Sequence, residues 1–136
     1  MENAENSILI VDDNAALQMN LRGFLADEGL RVFQASNVKE ALEQCRRHKP
    51  RVVLLDIYLP GDLGTVFSVK VHENPGVYGS PWIIAMSGVV GEQMVEEGDF
   101  KETNHIHGFM KKPFDLKDLI SGIRRYLEKS KASGSE

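Results

Sequence analysis

The run Val52-Val53-Leu54-Leu55-Asp56 decides how the chain is read. Four consecutive apolar residues make a short strand buried on both faces, the mark of a strand inside a covered parallel sheet. The run stops at a carboxylate, and Pro60 and Gly61 then turn the chain. Asp56 therefore stands where a strand leaves the core. In an open α/β sheet, ligands bind just beyond the carboxyl ends of the strands, so an acid there is either a site residue or a strand terminator.

Working outward, Ile8-Leu9-Ile10-Val11 is a second apolar strand that ends in Asp12-Asp13. From Asn14, an N-cap residue type, Leu17, Leu21, Phe24 and Leu25 recur at helical spacing until Gly29. Arg31 to Ala35 reads as a strand, and Asn37 with Glu40 opens a helix carrying Val38, Ala41, Leu42 and Cys45 on one face. Beyond Asp56, a third helix is expected from Thr65 to Glu73, then a Pro/Gly-rich loop from Asn74 to Pro81. Trp82 to Met86 is a fourth apolar strand closed by Ser87-Gly88. The stretch Glu92 to Glu97 has weak helical character broken by Gly98, so the fourth helix is expected to be short or irregular. Gly108-Phe109-Met110 gives a fifth strand, and Asp115 caps a last helix with Leu116, Leu119, Ile120, Ile123 and Leu127 in one stripe. Strands alternating with helices through short connections predict a parallel sheet covered on both faces. Residues 1–6 read as a flexible leader, 7–129 as the domain and 130–136 as a polar tail or the start of a linker.

A chain of 136 residues, 42% hydrophobic, can bury one core. Its net charge of -4 disfavours a dominant nucleic-acid surface, which needs a concentrated basic face. The single Cys45 has no disulfide partner within the chain, and no apolar run approaches the roughly 20 residues of a membrane span. A cytoplasmic protein acting neither on nucleic acid directly nor in a membrane is expected.

The strand ends gather Asp12, Asp13, Asp56, Ser87 and Lys112 along one edge. Crowded carboxylates stay ionised only beside a cation, and an oxygen-only ligand set suits a hard ion such as Mg²⁺. Lysine suits a phosphate oxygen and a serine hydroxyl can donate to another, so these parts describe phosphoryl transfer to Asp56. His105 and His107 share one face if extended, but no third ligand of a transition-metal site accompanies them.

The ordered set Leu9-Ile10-Val11-Asp12-Asp13-Asn14, Val52 through Gly61, Ala85-Met86-Ser87-Gly88 and Phe109-Met110-Lys111-Lys112-Pro113-Phe114 resembles the receiver domain of two-component response regulators, including the single-domain chemotaxis type, from about Ser7 to Lys129. The resemblance implies a flavodoxin-like, doubly wound five-stranded sheet in the order 2-1-3-4-5. It also implies phosphorylation of Asp56 by a sensor histidine kinase or phosphotransfer protein, with control of a downstream partner or output domain. Mg²⁺ would be held by Asp13, Asp56 and the Tyr58 backbone carbonyl, with Asp12 acting through water. Ser87 and Lys112, the lysine directly before proline, would hold phosphoryl oxygens. Ser87 and Phe109 would form the switch, and Tyr58 and Val89 would flank the attacking water and set the dephosphorylation rate. Two other readings remain. A pseudo-receiver would bind partners without taking phosphate. A haloacid-dehalogenase-type phosphatase would need a second acid two residues after the nucleophile, where Tyr58 stands.

Overall fold

The computed structural model describes residues 6–87 and 104–134. Its strands are β1 (Ser7–Val11), β2 (Arg31–Ala35), β3 (Val52–Asp56), β4 (Trp82–Ser87) and β5 (Gly108–Lys111). Its helices are α1 (Ala15–Asp27), α2 (Val38–His48), α3 (Gly64–Glu73), the single turn α4 (Pro75–Tyr78) and α5 (Leu116–Gly134). The strands form one sheet ordered β2-β1-β3-β4-β5, with every adjacent pair parallel.

Strand alternation divides the core between the two faces. Ile8, Ile10, Val52, Leu54, Ile84 and Met86 pack with Leu21 and Leu25 of α1 and Leu119 and Ile123 of α5. Leu9, Val11, Val53, Leu55, Ile83 and Ala85 pack instead with Ala41 and Cys45 of α2 and Phe67 and Val71 of α3. Each central strand is therefore apolar on both faces, through residues 8–11 in β1, 52–55 in β3 and 82–86 in β4, as a strand covered by helices on both sides must be. The chain reverses its winding direction between β1 and β3, and this switch point places the crevice at the ends of those two strands.

α1, α2 and α5 begin where the sequence provides acceptors. The Asn14 side chain accepts the Leu17 N–H at 3.0 Å, Asn37 accepts that of Glu40 at 2.8 Å, and Asp115 accepts that of Lys117 at 2.8 Å. Two expectations need correction. The segment from Asn74 to Pro81, read as a loop, contains α4, because Pro75 occupies the first turn, where its missing N–H costs nothing. The last helix runs through Gly134, so residues 130–134 of the expected polar tail are helical; Lys131 and Ala132 are strong helix formers, and Gly134 is the first glycine after Gly122. The fourth helix expected within Glu92 to Glu97 lies outside the described residues, as does nearly all of the expected leader. Among the described residues, no helix is long and apolar enough to cross a membrane.

Candidate functional site

Asp12 is the first residue past β1 and Asp56 the last of β3, so the strand pairing alone places the two acids side by side. Asp13 joins them, and one carboxylate oxygen from each of the three lies within 4.8 Å of the others. Asp12 is 1% exposed and Asp56 8%, whereas Asp13 faces solvent. The loop after β5 brings Lys112 to the same point. Its Nζ lies 2.6 Å from Asp12 Oδ2 and 3.6 Å from Asp56 Oδ2. The Lys112–Pro113 peptide is cis.

The hydrogen bonds divide the three acids by role. Both Asp12 oxygens are engaged, Oδ1 by the Asn14 N–H at 2.9 Å and Oδ2 by Lys112. Asp56 Oδ1 accepts the Tyr58 N–H at 3.0 Å. Burial pushes the Asp56 carboxyl above its ordinary value. The Tyr58 N–H and Lys112 pull it down, while Asp12 and Asp13 push it further up. Three carboxylates facing one ammonium leave an excess of negative charge in a confined space. The donors are all oxygen, with no thiolate or imidazole in the group, so the site fits a hard divalent cation.

The remaining expected residues have different standings. Tyr58 is 44% exposed on the rim and pairs with Leu63 in an isolated antiparallel bridge. Phe109 pairs with Ala85 in the sheet and is half-buried against the core on the α2 and α3 side. Ser87 ends β4, opposite Lys111 of β5. Val89 lies outside the described residues.

Gly64 is a residue that the motif reading passed over. A Cβ at this position would overlap the Asp56 carbonyl oxygen, and the Gly64 N–H donates to the Ile57 carbonyl at 2.6 Å. The first residue of α3 thus presses directly on the backbone that carries Asp56. The available signal was a glycine where a helix starts without a side-chain cap.

His105 and His107 do not form a metal group with the acids. The His105 ring stacks on His72, with centroids 3.6 Å apart, and His107 stacks on Trp82 at 4.6 Å. These contacts lie at the other end of the sheet, where β4 and β5 begin. Cys45 is buried, and its thiol is pushed up to about 12 by desolvation, which leaves it inert as a nucleophile.

Comparison with known proteins agrees with this geometry. Residues 8–124 match the response regulator receiver domain family. Sporulation initiation phosphotransferase F of Bacillus subtilis is 31% identical over 121 residues, spanning 88% of this chain and 92% of that protein. Response regulator Rre1 of Synechocystis is 30% identical over 135 residues, and the chain spans only 56% of its length. A solved CheY-like receiver domain protein from Methanospirillum hungatei superposes with a TM-score of 0.83 at 26% identity, covering 94% of this chain and 98% of that one.

Proposed function

This chain belongs to the response regulator receiver domain family of two-component systems, and from that premise we propose that Asp56 is its phosphoacceptor. The observation that carries the reading is the convergence of Asp12, Asp13, Asp56 and Lys112 at the switch point of the sheet. An Asp56 carboxylate oxygen forms the new P–O bond while the P–N bond to a donor histidine breaks, and the imidazole leaves with the electron pair. Asp13, Asp56 and the Tyr58 carbonyl would hold Mg²⁺, with Asp12 acting through water, and the bound ion would supply charge neutralisation for the transferring group. Lys112 exchanges its Asp12 and Asp56 partners for a phosphoryl oxygen, and Ser87 donates to another. The donor is a sensor histidine kinase or a phosphotransfer protein; a relative whose name is sporulation initiation phosphotransferase supports that class.

Phosphorylation then shifts an existing equilibrium. Ser87 moves toward the phosphoryl group, and the Phe109 ring turns into the vacated space, which changes the surface offered to a downstream partner or output domain. Phenylalanine buries no hydroxyl, so its inward position leaves no polar group unsatisfied. In the family pattern, the side chains two residues beyond the phosphorylated acid and two beyond the serine flank the approach of water; the sequence has Tyr58 and Val89 at those positions, and neither is a residue type that orients water well. Together they slow hydrolysis of the acyl phosphate by about a hundredfold relative to a pair of polar side chains, at about 1.4 kcal/mol for each tenfold.

The test is labelling with acetyl phosphate or phosphoramidate, with and without Mg²⁺, read as a gain of one phosphoryl group by intact mass. Mg²⁺-dependent labelling that disappears in Asp56→Asn is the expected result. No labelling of the parent would leave a binding module without phosphoacceptor activity. Decay after donor removal, compared with Tyr58→Asn/Val89→Glu, tests the rate assignment; equal lifetimes would refute it.

A further inference from the structure

Under the Asp12-Asp13 turn lies a buried amide that the proposed reaction does not use. Gln18 of α1 is 7% exposed. Its Nε2 lies 3.0 Å from the Ile10 carbonyl oxygen, 3.0 Å from that of Asp12 and 2.9 Å from that of Ala35. An amide carries two N–H hydrogens, so three acceptors converge on two donors. The Ala35 carbonyl also accepts the Asp12 N–H at 3.0 Å. Gln34 of β2 fixes which end of the amide faces these carbonyls, because its own Nε2 donates to Gln18 Oε1 at 2.9 Å and to the Gln18 carbonyl at 3.2 Å.

The three carbonyls belong to the ends of β1 and β2, which lie side by side in the sheet. Gln18 therefore ties α1 to both strand ends at the residue whose carboxylate receives Lys112, one residue before Asp13. A leucine of similar size would fill the same space but take the amide donor from the Ile10 and Asp12 carbonyls and leave Ala35 only the Asp12 N–H, and the backbone would have to shift to replace those bonds. Any such shift moves Asp12 and Asp13 relative to Asp56, which sits on a different strand. Metal sites are sensitive to this, because changing the outer groups that orient the ligands typically costs about ten- to a hundredfold in affinity.

We propose that Gln18, locked by Gln34, is a positioning residue that sets the placement of Asp12 and Asp13 against Asp56. Its effect on chemistry rests on the phosphoacceptor reading above, while its structural part does not. The test uses the whole chain with Gln18→Leu, Gln34→Leu and, as a destabilised control on the same helix outside the site, Leu21→Ala. Amide hydrogen exchange without metal is measured at Asp12 and Asn14 relative to Leu54 in the core, followed by Mg²⁺ titration and labelling by acetyl phosphate.

Gln18→Leu should speed exchange at Asp12 and Asn14 selectively and raise the Mg²⁺ Kd by about tenfold, the lower end for outer-shell changes, with labelling recovering at saturating Mg²⁺. Gln34→Leu should shift both readouts in the same direction by less, and it carries the test should Gln18→Leu fail to fold. Leu21→Ala should leave both unchanged. Wild-type exchange at Asp12 in both glutamine variants, or equal losses in Leu21→Ala, would overturn the proposal. A parent chain that binds no Mg²⁺ would sink the phosphoacceptor reading instead, and the exchange data would still decide the role of Gln18.

Discussion

The two ends of one sheet solve opposite problems. At the carboxyl ends of β1 and β3, Asp12, Asp13 and Asp56 crowd together, Lys112 meets the first and the last of them, and burial raises the cost of charge on Asp56. At the amino ends of β4 and β5, Trp82 lies against His107 and Tyr126, both at 4.6 Å, while His72 stacks on His105. The first end is held short of electrostatic balance, with more carboxylates than the one ammonium can neutralise. The second is closed by stacked rings, and the buried Trp82 Nε1 there has no partner among the described residues. The difference shows that one sheet can carry a charged, unbalanced edge and an edge of stacked rings. It is set by which residues follow or precede the apolar run.

Paired glycine substitutions should produce the largest contrast. Gly64→Ala drives a Cβ into the Asp56 backbone, which cannot yield without moving the site, and should cost about 3 kcal/mol in urea unfolding, at the top of the usual overpacking range. At the other end, a Cβ on Gly108 meets the hydroxyl tip of Tyr126, which can turn aside, so Gly108→Ala should cost about 1 kcal/mol. Equal losses would mean that the carboxyl edge is no more tightly built than the amino edge.

The charge contrast comes next. Lys112→Met strips the ammonium from a buried Asp12 and should cost about 2 kcal/mol without metal, below the range for fully buried pairs because a quarter of the lysine side chain is exposed. Arg124→Met, which removes the exposed pair with Glu28, should cost no more than about 0.5 kcal/mol. A smaller effect follows from relieving repulsion. Asp13→Asn should raise the metal-free Tm slightly and abolish the rise that Mg²⁺ gives the parent. A Tm unchanged without metal, with the Mg²⁺ response retained, would remove Asp13 from the cation site.

What the sequence made legible follows the same division. The buried strands could be read because Ile8 to Val11 and Val52 to Leu55 are apolar at every position. Asn14 and Asn37 could be read because a capping side chain acts within its own turn. The acids could be read because strand ends in a parallel sheet share an edge, so position along the chain predicts position in space. Contacts between distant elements were hidden. Gly64 looks like loop glycine until α3 is packed against Asp56, and Gln18, beside Leu17 on α1, reads as a surface residue until the ends of β1 and β2 close over it. Pro75 and the polar residues after Lys129 misled in another way, because composition that favours loops also permits a helix start or continuation. The pair His105 and His107 was set aside as a ligand set for want of a third ligand, and the sequence could not show that each ring has a stacking partner.

The smallest expected effect would mark the amino edge as the pH-sensitive one near neutrality. His107 Nδ1 accepts the Ile83 N–H at 2.9 Å, while its own backbone N–H donates to the Ile83 carbonyl at 2.8 Å. The side-chain bond requires neutral imidazole with its hydrogen on Nε2, since protonation at Nδ1 would set one donor against another. Burial lowers the His107 pKa, and His105 and His72 lower it further. Between that lowered value and the ordinary one near 6.5, the unfolded chain binds more protons than the folded chain, so stability falls as pH decreases. The contribution is intact above the ordinary value and lost once pH drops through the folded one. Asp56 acts in the opposite sense in a more acidic range, because its raised pKa favours folding when the carboxyl is protonated. Urea midpoints measured from neutral pH down through the histidine range should therefore decline in the parent and in Asp56→Asn alike. The decline should flatten in His107→Asn, whose amide oxygen can accept the Ile83 N–H without titrating. A slope that survives in His107→Asn would place the pH response elsewhere, with His48, whose pKa burial also lowers, next to be replaced.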